Sequence, residues 1–89
     1  MNHYNLIITG RVQGVGFRAS ARDKAWQLGI NGFVKNRPDG AVYIESEGGE
    51  QALGDFIAWC RQGPPMAMVE NVDIYDAPVQ NFEIFDIRH

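Results

Sequence analysis

NGFVKNRPDGAVYIESE, residues 31–47, reads as two strands joined by a tight turn. Residues 31–36 (NGFVKN) form the first of the pair. Pro38-Asp39-Gly40 is the turn, since proline presets φ and glycine accepts a positive φ. Ala41 to Glu47 forms the other strand, with Val42 and Ile44 on one face and Tyr43, Glu45 and Glu47 on the opposite one. A period of two on both sides of a Pro-Asp-Gly turn specifies a β-hairpin.

Working outward from the hairpin, both flanks change period. Before it, Ala19 to Leu28 carries Ala21, Ala25 and Leu28 at helical spacing, and Gly29 stands just past the last turn. After it, Glu50 to Gln62 carries Leu53, Phe56, Ile57 and Cys60 at i, i+3, i+4 and i+7, one helical face. Gly63-Pro64-Pro65 stops that helix. Further out, Tyr4 to Thr9 reads as a short apolar strand and Val69 to Tyr75 as another. Phe82 to Ile87 is a last, short strand. The order is βαββαβ plus a terminal strand. It specifies an α+β fold of the ferredoxin-like α/β sandwich type, an antiparallel sheet with two helices on one face.

With 89 residues the chain is expected to form a single domain over 1–89, and 45% hydrophobic with 21% charged residues is ordinary for a globular one. No apolar run approaches the roughly 18–20 residues of a membrane span, and the first ten residues lack the features of a signal peptide. One cysteine, Cys60, allows no internal disulfide, so a cytoplasmic location is the expectation. The net charge of −3 is unevenly distributed. Residues 11–37 carry Arg11, Arg18, Arg22, Lys24, Lys35 and Arg37 against Asp23 alone, whereas residues 38–89 carry Arg61 and Arg88 against ten acids. Positive charge confined to one segment suits a small anion handled locally, and chance clustering of solvated side chains produces the same pattern.

Inside that segment, GRVQGVGFR (10–18) joins the first strand to the first helix. The first N–H groups of a helix lack internal partners and attract anions. Glycines let neighbouring amides converge on one point, so a nest from about Val15 to Arg18 is expected, closed by the Arg18 guanidinium. Taken alone, the loop is also readable as a glycine-rich connection with two exposed arginines. It is neither a P-loop, lacking the lysine followed by Ser or Thr, nor a dinucleotide fingerprint, lacking the third glycine. Nucleophile and metal schemes find no support. Cys60 belongs to an apolar helix stripe, Ser20 has no evident base, and His3 and His89 stand at the termini, where disorder is expected. Glu45 and Glu47 read as a solvated sheet face. Asn36, ending the second strand, reads as a turn asparagine bonding nearby backbone. In a split βαβ, however, the end of the second strand can face the loop after the first, where an amide could hold a water by its carbonyl oxygen.

GRVQGVGFR followed at 29–48 by GINGFVKNRPDGAVYIESEG closely resembles the acylphosphatase family, and the resemblance runs over essentially the whole chain. It implies metal-independent hydrolysis of the carboxyl–phosphate bond of acyl phosphates, giving carboxylate and inorganic phosphate, with no cofactor. By motif position, the amides of Gly14, Val15, Gly16, Phe17 and Arg18 resemble the family's phosphate cradle. Arg18 resembles its phosphoryl-binding arginine, and Asn36 resembles the asparagine that orients the attacking water. Phe33 stands where many relatives carry tryptophan. Ala19 follows Arg18 where relatives often have a larger residue, which would open the rim beside the phosphate. Arg11 receives no role. The implied partner is a small acyl phosphate handled by a monomer, with neither membrane nor nucleic acid. Gly32-Phe33-Val34 matches only part of the aromatic signature of RNA-recognition domains, which share this topology, and a binding module without catalysis is the other alternative.

Overall fold

A computed structural model describes residues 1–89. The chain runs β1 (Asn2–Arg11), α1 (Phe17–Leu28), β2 (Asn31–Asn36), β3 (Val42–Gly48), α2 (Glu50–Gln62), β4 (Met68–Asp76) and β5 (Phe85–Arg88). The elements are those expected from the periodicities, with β2 and α2 ending where expected and the other ends differing by at most three residues. The strands form one sheet in the order β4-β1-β3-β2-β5. The hairpin closes in the register Asn36↔Val42, and β1 lies between β3 and β4, antiparallel to both, with a bulge at Thr9/Gly10.

Alternation along the strands sends Leu6, Ile8, Val34, Val42 and Ile44 to one face, where all are buried. There they meet Ala21 and Ala25 of α1 and Leu53, Phe56 and Cys60 of α2 in one continuous core. Cys60 is fully buried, and burial pushes its thiol up, away from the reactive thiolate. Both helices therefore sit on the same side of the sheet. The small alanines of α1 bring it close to the strands, and Gly29 ends it in the left-handed conformation while Ile30 N–H returns to Ala25 C=O at 2.8 Å.

The sheet departs from a purely antiparallel one at its last strand, for β5 runs parallel to β2. The cause is the path of the chain. β4 and β2 lie on opposite sides of the β1–β3 pair, so the segment after β4 must cross the sheet to reach β2. It does so over the face opposite the helices. Ala77 N–H bonds His3 C=O of β1 at 3.1 Å and Gly32 N–H of β2 bonds Ile84 C=O at 2.7 Å. Asn31 Nδ2 donates to Phe82 C=O at 3.0 Å.

This strap overturns two expectations about the open face. Glu47 is not solvated: it is 2% exposed. Its carboxylate accepts from Gln80 N–H, from Phe82 N–H at 2.8 Å and from His3 Nδ1 at 2.8 Å. His3 is not part of a disordered terminus; it is buried in β1 with its other ring nitrogen 2.7 Å from Asn5 Oδ1. Burial alone would raise the pKa of Glu47, but the bonds from Gln80, His3 and Phe82 outweigh it and hold the carboxyl below its usual range. Glu45 is half-buried and accepts from Tyr43 Oη at 2.7 Å. Burial and then that bond push the Tyr43 hydroxyl up to about 12.

Candidate functional site

The first turn of α1 is left open by its own sequence. Its cap, Gly16, has φ 79° and offers no side-chain oxygen, and no acid stands in the turn. The first bond of the helix runs from Ser20 N–H to Gly16 C=O at 3.1 Å, and the N–H groups of residues 14–19 donate to no protein acceptor. By contrast, α2 carries Glu50 in its first turn and Arg61 in its last, matching the helix dipole. Gly14 has φ 73°, and a Cβ on either Gly14 or Gly16 would meet no protein atom within 4 Å. Both are exposed, while Val12 and Phe17 are buried on either side of them. The Phe17 ring packs on Trp59 with centroids 5.4 Å apart. Buried side chains thus anchor the loop, and its glycines present bare amides to an open space.

That space is a cleft of about 440 Å³ lined by Gly14, Gly16 and Phe17 of the loop, Arg18, Ala19 and Arg22 of α1, Asn36 of β2, and Ile87 and His89 at the end of β5, with Val12 at its floor. No Asp or Glu side chain lines it. Arg18 reaches His89 Nδ1 through Nη1 at 3.2 Å. Arg22 lies one helical turn on, with its guanidinium over the Trp26 ring (4.8 Å to the centroid) and 3.3 Å from Asp23 Oδ1. Two cations, a row of unbonded amides and no acid make a cavity suited to an anion with several oxygens.

Asn36 enters from the other wall. Strands β1 and β2 are not neighbours, since β3 lies between them. Both are antiparallel to β3, so both finish at the same end of the sheet. That is why the end of β2 faces the loop after β1. The period of two puts Asn36 on the helix side with Val34, and puts Lys35 and Arg37 on the other, where they line a separate shallow pocket with Phe33 and Tyr43. Asn36 Oδ1 is buried with no hydrogen-bond partner. A buried acceptor without a partner costs about 1–3 kcal/mol and calls for an explanation; the other such atom, Asp86 Oδ1, lies outside the cleft. The amide torsion is broad and two-fold, so a turn about χ2 exchanges the end that faces the cleft.

Of the residues singled out in the sequence, Gly14, Gly16, Phe17, Arg18 and Asn36 meet at this cleft. Val15 does not line it; its side chain packs on the core. Ala19 is on the rim, exposed. Arg11 is not there: it pairs with Met68 at the end of β1. Sequence reasoning passed over Arg22, His89 and Gln13. The spacing Arg18–Arg22 could have revealed the first. His89 is delivered by the parallel strand, which no local pattern encodes. The Gln13 side-chain nitrogen donates to Arg37 C=O at 2.8 Å and Ala41 C=O at 2.9 Å, partners far away in sequence. The His, Cys, Asp and Glu side chains form no group of three that could hold a metal ion, and no helix is long and apolar enough to cross a membrane.

The family model for acylphosphatases matches residues 4–87. An acylphosphatase of Archaeoglobus fulgidus is 44% identical over 84 residues, covering 94% of this chain and 94% of its own. One of Thiobacillus denitrificans is 49% identical over 74 residues, covering 83% of each. The crystal structure of acylphosphatase from Bacillus subtilis superposes with a TM-score of 0.97 at 37% identity, covering 100% of both chains.

Proposed function

This chain belongs to the acylphosphatase family, an enzyme family of hydrolases, and on that premise we propose that the cleft at the N-terminus of α1 is where it hydrolyses acyl phosphates to carboxylate and inorganic phosphate. The observation that carries the assignment is the pairing across one cleft: unbonded amides with Arg18 on one wall, and the unpartnered Asn36 amide on the other.

The amides of Gly14 to Arg18 and the Arg18 guanidinium hold the phosphoryl oxygens and balance the charge that builds on them in the transition state. Asn36 holds a water by its amide oxygen, in line with the bond to be broken. The water oxygen bonds to phosphorus as the bond from phosphorus to the acyl oxygen breaks, and that electron pair leaves with the carboxylate. A carboxylate is weakly basic and departs without a proton. Asparagine accepts none near neutral pH, so the water's proton passes to a phosphoryl oxygen or to solvent. The remaining contribution is positioning, worth several orders of magnitude in rate when geometry is right. All the groups required come from one chain, which supports a single domain over 1–89 acting as a monomer; the single cysteine, which allows no internal disulfide, supports a cytoplasmic location.

Benzoyl phosphate hydrolysis in the presence of a chelator tests the scheme. The wild-type chain should turn over, with inorganic phosphate as a competitive inhibitor. Asn36→Ala should lower kcat about 100-fold and leave the phosphate inhibition constant within about twofold. Equal loss of both would mean that Asn36 builds the cradle rather than placing water, and phosphate binding without turnover by the wild type would leave a binding module.

A further inference from the structure

We infer that Gln13 is a positioning residue that sets the phosphate loop and the Asn36 amide at their working separation. The inference rests on the roles proposed above for the loop and for Asn36. The two walls of the cleft come from segments with no direct ladder between them: β3 separates β1 from β2, and the β1–β3 pairing stops at Ile8↔Val42, short of the loop. Gln13 spans that gap. Its amide nitrogen donates to Arg37 C=O at 2.8 Å and to Ala41 C=O at 2.9 Å. No other hydrogen bond joins residues 12–16 to residues 36–41.

The two carbonyls are those that close the hairpin turn. Gly40 N–H bonds Arg37 C=O at 3.1 Å and Arg37 N–H bonds Ala41 C=O at 2.8 Å. Each oxygen has a second lone pair, and Gln13 fills both with one NH₂ group. A primary amide suits the task because it carries two hydrogens in a fixed fork. Arg37 directly follows Asn36, so the tie fixes the backbone from which the water-holding side chain springs. On the other side, buried Val12 and exposed Gly14 flank Gln13, so the tie acts at the root of the amide cradle. A displacement of about 1 Å between reacting groups costs on the order of 100-fold in rate, which makes such a tie worth having.

A mutant cycle tests this. Gln13→Ala and Gln13→Met, the second keeping length and packing without a donor, are each made alone and combined with Asn36→Ala. The readouts are kcat on benzoyl phosphate, the inhibition constant of inorganic phosphate and the urea midpoint. Either Gln13 variant should lower kcat about tenfold or more in the wild-type background, with phosphate inhibition within about twofold. With Asn36 already gone, the same change should lower kcat by less than about twofold, because coupled residues are not additive. The inference is overturned if Gln13→Met keeps wild-type kcat, if phosphate inhibition weakens in step with kcat, or if the loss is the same in both backgrounds. Wild-type kcat in Asn36→Ala alone would instead overturn the reading of the site, and with it this inference.

Discussion

Arg18 and Arg22 stand one helical turn apart on the cleft wall, but their surroundings give them different tasks. Arg18 has only His89 beside it, so its fork is available to a ligand. Arg22 is shared with Asp23 and the Trp26 ring and contributes a field more than a grip. Arg22→Ala should therefore raise KM and the phosphate inhibition constant about two- to fivefold, the scale of a partly exposed charge, with kcat within about twofold. Steady-state kinetics at low and high salt would check it, since the difference should shrink as screening grows. Arg18 and Asn36 were singled out because their two stretches, in that order and spacing, together resemble the acylphosphatase motifs; alone, the loop also read as an exposed connection and Asn36 as a turn residue. Gln13 was not, because a glutamine in a loop says nothing until its partners, 24 and 28 residues on, are brought to it.

Among the elements, α1 is unusual in leaving its N-terminus unserved. A side-chain cap or an acid there would normally stabilise a helix, and α2 has one in Glu50. This contrast yields a substitution with opposite effects on stability and binding. Ala19→Glu places a carboxylate in the first turn of α1, on the exposed rim of the cleft. It should keep or raise stability by about 0.3–1 kcal/mol, and weaken phosphate inhibition about tenfold or more by competing for the same amides. Urea denaturation and inhibition kinetics on one preparation would separate the two. The helix was readable from its alanine spacing, but its start was not: the expectation was Ala19, and the helix begins at Phe17. The left-handed Gly16 sets that boundary, and hydrophobic period does not report backbone conformation at a cap.

For the whole molecule, the strap over residues 77–84 determines where the last strand goes. Its composition is irregular, so the sequence told of a terminal strand but not of its parallel pairing or of what it covers. The faces of β3 were assigned correctly from alternation, yet Glu47 turned out buried because the strap lies on it. Glu47 holds that strap through two backbone N–H groups and His3, and its carboxyl is held below its ordinary range. A carboxyl depressed in the folded state adds stability that is complete above its unfolded pKa and is lost as pH falls through the folded one. Urea midpoints should hold steady from pH 7 down to about the ordinary glutamate value near 4.5 and fall below it. Glu47→Gln should flatten that fall and lower stability at pH 7 by about 3 kcal/mol, the scale of breaking a buried pair. An unchanged pH profile in Glu47→Gln would mean that other carboxyls govern acid unfolding. The strap also carries β5 to the cleft, which Ile87 and His89 line, so the buried network at one end of the sheet and the cleft at the other are parts of one construction. The claim on which the rest depends is that the phosphoryl group is gathered at the first turn of α1 under Arg18. The most direct measurement of it is kcat/KM for benzoyl phosphate in Arg18→Ala, with folding verified by its urea midpoint. A loss of about 100- to 1,000-fold or more, together with loss of phosphate inhibition, is the predicted result; wild-type kinetics in the folded variant would contradict it.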